Sequence, residues 1–152
     1  MSDFRSFESG LDDNLFTPNA QLKVAVIEDD PVDAFLMKIL VKEIGGWLGE
    51  VECFASVDAL LAVEAPAFDV IVLDRMLGDG SLSEGRIREL RAACPQAGLV
   101  MHTSALTPSL RACAIQEGAF AVMEKGSLEP EEVWLLLQSA AVLGPKLARP
   151  LS

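Results

Sequence analysis

The 152-residue chain is 51% hydrophobic and carries 23 acidic against 12 basic residues, a formal charge of −11. That length supports one domain with a buried core, and the negative field works against nucleic acid and anionic membrane as partners. Cys53, Cys94 and Cys113 are odd in number and lie in apolar or alanine-rich stretches, so they suggest neither a disulfide framework nor a metal spacing and are expected to be buried free thiols.

Residues 1–21 mix acidic, polar and small side chains without the basic start and apolar run of a secretory signal. They are read as a flexible extension, residues 22–143 as the domain and 144–152 as a tail. No run has the length of a membrane span, which points to a reducing cytoplasm. From Leu22 onward, short apolar runs alternate with helix-period segments, the pattern of an α/β domain with a parallel sheet. LKVAVI is the first strand and ends at Glu28. Asp30 is placed to cap a helix with Pro31 at its first position, and Val32, Phe35, Leu36, Ile39, Leu40 and Ile44 are expected to form its buried stripe up to Gly45 and Gly46.

A weaker strand, EVECFA, precedes a helix capped by Ser56, with Val57, Leu60, Leu61 and Ala62 toward the sheet. FDVIVLD has no alternation, as expected of a central strand covered on both faces, and ends at Asp74. The LGDGS loop follows, with Asp79 and Gly80 suited to a tight turn. A helix from Leu82 to Ala93 leads to the strand GLVMHT. Thr107 and Pro108 open a helix that stops at Gly118, the strand AFAVME reaches Lys125, and Ser127 is expected to cap a last helix with Val133, Trp134 and Leu137 inside. The total is five strands and five helices.

In such a sheet, functional groups gather beyond the carboxyl ends of the strands. Glu28 and Asp29 close the first strand, Asp74 the third, Thr103 the fourth and Lys125 the fifth. Carboxylates brought together repel one another unless a hard cation lies between them, and oxygen-only ligation suits Mg2+. Asp74 is then the candidate nucleophile toward phosphorus, with the Lys125 ammonium and Thr103 hydroxyl set to meet phosphoryl oxygens. Asp30 reads as a cap. His102, the only histidine, reads as a packed or hydrogen-bonded strand residue.

EDDP at 28–31, VLDRML at 72–77, HTSA at 102–105 and MEKG at 123–126 together resemble the receiver domain of two-component response regulators. The spacings agree: 45 residues from Asp29 to Asp74, 29 on to Thr103 and 22 on to Lys125. The resemblance covers Leu22 to Leu143. It implies a doubly wound, flavodoxin-like sheet of order 2-1-3-4-5 and phosphorylation of Asp74 by a histidine kinase or histidine phosphotransfer protein. It also implies Mg2+ held by Asp29, Asp74 and the Met76 backbone carbonyl, with Glu28 acting through water. Lys125 would pair with the phosphoryl group, and Thr103 would shift toward it and reposition the face of helix 4, strand 5 and helix 5, where a downstream target protein or a second copy would bind.

Three positions depart from the family pattern. Gly126 follows the lysine where proline is usual, Val122 replaces the switch aromatic, and Gly78 replaces a frequent proline. An alternative reading is a pseudo-receiver, a constitutive binding module. An aspartyl phosphohydrolase fits poorly, since Met76 stands where such enzymes of the haloacid-dehalogenase type place a second aspartate. The chain is thus expected to catalyse only its own phosphorylation and dephosphorylation.

Overall fold

The computed structural model describes residues 21–77 and 82–147. The readings of the N-terminal extension, of Gly78 and of the Asp79–Gly80 turn lie outside them. Five parallel strands, β1 (Leu22–Ile27), β2 (Gly49–Phe54), β3 (Val70–Asp74), β4 (Gly98–Thr103) and β5 (Ala121–Glu124), form one sheet in the order β2-β1-β3-β4-β5. Every residue of β3 is buried, because helices cover both faces of the central strands. On one face lie α1 (Pro31–Gly45) and α5 (Pro130–Leu147), packed through Met37, Val41, Val133, Leu137 and Ala140 onto Val24, Val26, Val72 and Val100. On the other lie α2 (Val57–Leu61), α3 (Ile87–Ala93) and α4 (Pro108–Glu117), packed through Leu60, Ile87, Leu90 and Leu110 onto Ile27, Ile71, Leu73 and Leu99. Among the described residues no helix is long and apolar enough to cross a membrane.

The capping residues act largely as their chemistry dictates. Carboxylate or hydroxyl oxygens of Asp30, Ser56 and Thr107 accept hydrogen bonds from the backbone N–H groups of Val32, Ala59 and Leu110, supplying acceptors that the first helical turn lacks. Ser127 does not cap α5. Its hydroxyl donates to the Glu124 carbonyl at 2.8 Å, while the Glu129 N–H donates back to the Glu132 carboxylate at 2.8 Å and Pro130 starts the helix. The segment expected as one helix from Leu82 divides into a tight 3-10 turn, Ser83–Arg86, and α3.

Three burial expectations are corrected. The face of α1 that meets the sheet is Ala34, Met37, Val41 and Gly45, whereas Val32, Phe35, Leu36 and Ile39 are exposed. Two apolar stripes share this helix, and the one with the smaller residues on average lies close against the sheet, where a Cβ at Gly49 of β2 would stand 2.8 Å from Val41. Trp134 explains part of the constraint, since a Cβ at Gly45 would lie 2.6 Å from its ring. On α2, Val57 and Leu60 are buried but Ala62 lies beyond the last helical residue and is exposed. Of the cysteines only Cys94 is buried; Cys53 and Cys113 are exposed, and all three are free thiols.

Candidate functional site

The strand order reverses direction at β1, since the chain moves to β2 on one side and later to β3 on the other. The crevice of an open α/β sheet forms at such a switch point. Here β1 and β3 pair up to Ile27 and Leu73, so the next residues of the two strands, Glu28 and Asp74, emerge side by side. Carboxylate oxygens of Glu28, Asp29 and Asp74 lie within 4.8 Å of one another, and this group could hold a metal ion. Glu28 and Asp74 are each 7% exposed, while Asp29 faces solvent. A hard-oxygen donor set of this kind, with one ligand open to water, suits a divalent cation that keeps part of its hydration shell.

Lys125, one residue beyond β5, reaches into the same crevice. Its ammonium lies 3.0 Å from Glu28 Oε1, 3.0 Å from Asp33 Oδ2 and 3.3 Å from Asp74 Oδ1. Its backbone N–H donates to the Thr103 carbonyl at 2.7 Å, which anchors the residue to β4. Thr103 is buried at the end of β4, and its hydroxyl accepts from the Ala105 N–H at 3.2 Å. That bond folds the Thr103 side chain onto the loop that follows it. Ser104 beside it is exposed. His102 is paired with Asp74 across β3 and β4. Burial, followed by the nearby Lys125 charge, pushes its imidazole down to about 4, so it is neutral at physiological pH.

Met76 is 59% exposed and forms an isolated antiparallel bridge with Leu82. The loop that carries it is pinned at its base. The Ser83 hydroxyl, fully enclosed, donates to the Asp74 carbonyl at 2.6 Å, and the Ser83 N–H donates to the Arg75 carbonyl at 2.8 Å. The Arg75 guanidinium forks onto both Glu84 oxygens at 3.1–3.3 Å. Asp33, Ser83 and the Arg75–Glu84 pair were not singled out from sequence. For Asp33 the available signal is an acid interrupting the apolar run of α1 two residues after the EDDP segment; for Ser83 and the Arg75–Glu84 pair there is none.

Charge in the crevice is costly without a cation. Burial first, then the neighbouring Asp74 carboxyl, push Glu28 up to about 7, against the pull of Lys125. Burial also opposes the charge on Lys125, but the Asp33 and Glu28 carboxylates and the field of Asp74 outweigh it and hold the ammonium above its ordinary value. A carboxyl whose folded value exceeds its unfolded value binds its proton more tightly when folded, so its contribution to stability falls as pH rises from 4.5 to about 7. His102 works the other way, losing stability as pH falls below 6.5 toward 4. The difference between Glu28→Gln and wild type isolates the carboxyl. Without divalent cation, E28Q is expected to gain stability steadily from pH 4.5 to 7 and to level off on the order of 3 kcal/mol above wild type by pH 8. Urea titrations across that range check it; a pH-independent difference would mean that Glu28 is not strained in the crevice.

Among solved structures the chain is similar to the beryllofluoride-activated DrrB receiver domain, at 25% identity and a TM-score of 0.65, covering 78% of this chain and 95% of that one. The fold is that of a response-regulator receiver domain. This receiver fold also matches chemotaxis protein CheY4 of Vibrio cholerae, at 22% identity and TM-score 0.68 over 80% of this chain and 99% of that one. A CheY-like receiver domain protein of Methanospirillum hungatei matches at 19% identity and TM-score 0.70 over 84% and 98%. No protein-family profile and no curated protein sequence matches the chain.

Proposed function

We propose that the chain is a phosphorylation switch of a two-component system, in which Asp74 accepts a phosphoryl group from a histidine kinase or histidine phosphotransfer protein. The observation that carries this reading is the placing of the Asp74 carboxylate 3.3 Å from the Lys125 ammonium, within a cluster of acids able to bind a cation. An Asp74 oxygen attacks the phosphorus of a phosphoimidazole. The new P–O bond forms as the P–N bond breaks, and the departing nitrogen keeps the bonding electron pair and takes up a proton. Glu28, Asp29 and Asp74, with the Met76 carbonyl as a further oxygen donor, would hold Mg2+, whose positive charge would offset the acids and the incoming phosphoryl oxygens. Lys125 donates to one phosphoryl oxygen and Thr103, released from Ala105, to another.

Apart from this self-modification the chain turns over no substrate. Val122, in place of an aromatic, is buried opposite Met101, so no ring swings behind Thr103. The signal passes instead through the Thr103–Ala105 loop to the surface of α4, β5 and α5, where a separate target protein, or a second copy, is bound or released. A cytoplasmic location fits donors of this kind. The beryllofluoride-activated DrrB receiver at 25% identity supports the reading. So does a response regulator of Burkholderia pseudomallei, matched at 22% identity and TM-score 0.67, whose structure holds a phosphorylated aspartic acid and a calcium ion.

Acetyl phosphate and Mg2+ provide the test. Stoichiometric, alkali-labile labelling on the peptide containing Asp74, lost on chelation, is expected. A chain that takes no label and shows no spectral response to Mg2+ with beryllofluoride is instead a constitutive binding module on the same fold.

A further inference from the structure

An ammonium group has three N–H donors, and Lys125 has three carboxylate oxygens within 3.3 Å, on Glu28, Asp33 and Asp74. Two of these belong to the cluster already described. The third, Asp33, stands in the first turn of α1, on a different element from every other member of the crevice. It is separated from Lys125 by 92 residues in sequence.

The turn that carries Lys125 is closed by the Ser127 N–H and hydroxyl on the Glu124 carbonyl, at 3.1 and 2.8 Å, which fixes the lysine's backbone but not the direction of its side chain. Gly126 has φ +80°, in the left-handed region where side chains are strained, and a Cβ there would meet nothing within 4 Å. A four-carbon side chain next to such a residue has several rotatable bonds to be ordered. Lys125 is nonetheless only 23% exposed and stands at hydrogen-bond distance from both Glu28 and Asp33. With two donors held there, the third N–H is left to face Asp74.

Resting on the proposed phosphorylation of Asp74, we infer that Asp33 is a positioning residue: it anchors the Lys125 side chain from α1, so that one ammonium proton is kept on the phosphoacceptor. Asp33 touches neither donor nor phosphoryl group. It acts through Lys125 alone, and it ties the first turn of α1 to the end of β5.

The full chain carrying Asp33→Asn tests this, with Asp33→Ala as a second variant. Asp33 is a partly exposed first-turn residue, so both are expected to fold. The first readout needs neither metal nor phosphate: solvent exchange of the Lys125 ammonium protons, followed by nitrogen-detected NMR and assigned with Lys125→Arg. Exchange is expected to accelerate roughly tenfold in D33N as one of the two anchoring hydrogen bonds weakens. The second readout is affinity for beryllofluoride with saturating Mg2+, expected to fall roughly tenfold because the ammonium is no longer pre-aimed, while affinity for Mg2+ alone changes less than about twofold.

Ammonium exchange within experimental error of wild type in both variants overturns the inference. So does a rise in beryllofluoride affinity, which would make Asp33 a competitor drawing Lys125 away. Equal losses of Mg2+ and beryllofluoride affinity overturn it too, since they would mean general damage to the crevice. A wild-type chain that binds no beryllofluoride refutes the proposed function instead, and the exchange measurement then still decides whether Asp33 holds Lys125.

Discussion

Asp74→Asn is expected to lose phosphoryl labelling by at least about a thousandfold and, in the same preparation, to become more stable above pH 7 in the absence of divalent cation. The first effect follows because an amide oxygen is a poor nucleophile and the other acids of the cluster are placed differently toward the crevice: Asp29 is exposed, and Glu28 is bonded to Lys125 and to the Asp30 N–H. The second follows because Asp74 is one of the causes that push Glu28 up. Removing that neighbouring charge lets Glu28 ionise at lower cost, a gain of about 1–2 kcal/mol at pH 8. Labelling with radioactive acetyl phosphate and urea denaturation at pH 5 and pH 8 read the two effects. The pairing separates mechanism from damage: a misfolded variant loses both label and stability, whereas a removed nucleophile in an acid cluster loses label and gains stability. Undiminished labelling of D74N would exclude Asp74 as the phosphoacceptor.

Much of this arrangement can be read before folding, and the reasons differ from element to element. β3 announces itself because Val70, Ile71, Val72 and Leu73 are all apolar, which only a strand covered on both faces requires. The capping roles of Asp30, Ser56 and Thr107 depend on bonds to N–H groups two or three residues away, a range that sequence specifies directly. The acid cluster follows from the same logic once strand ends are known, because parallel strands bring their carboxyl ends to one edge.

α1 shows where such reading fails. Hydrophobicity favours the larger side chains Val32, Phe35, Leu36 and Ile39 for the core, yet the sheet takes Ala34, Met37 and Val41, because helix–sheet spacing selects for volume as well as for apolar character. The contact of Asp33 with Lys125 fails to show for another reason. It depends on the reach of a long side chain between elements 92 residues apart, and no local pattern encodes that. Ser127 illustrates a third: a hydroxyl ahead of a helix can satisfy either the coming N–H groups or a carbonyl behind it, and here the Glu124 carbonyl wins.

Gly98→Ala is expected to remove about 4 kcal/mol of stability, a large share of what a domain of ordinary stability has. Gly98 begins β4, and its N–H donates to the Asp69 carbonyl at 3.0 Å. A Cβ there would stand 2.0 Å from the Ala140 carbonyl oxygen and 2.6 Å from its carbon. Neither partner can yield cheaply, since β4 is bonded to β3 and β5 on both sides and Ala140 lies within the 18-residue helix α5. One turn further, a Cβ at Gly144 would meet the Gly98 Cα at 2.8 Å, so the close approach of helix and strand is maintained on both sides by absent side chains. Gly85→Ala is the control, because a Cβ there meets nothing within 4 Å and the backbone is not in the left-handed region; it is expected within about 1 kcal/mol of wild type. Urea denaturation of the two variants makes the comparison, and a G98A loss below about 1 kcal/mol would mean that α5 does not rest on the start of β4. The same packing bears on the signal, because β4 carries Thr103 at its far end and α5 forms part of the surface proposed to change. A helix locked to the foot of β4 leaves the Thr103–Ala105 loop, rather than α5 as a whole, as the element free to move on phosphorylation.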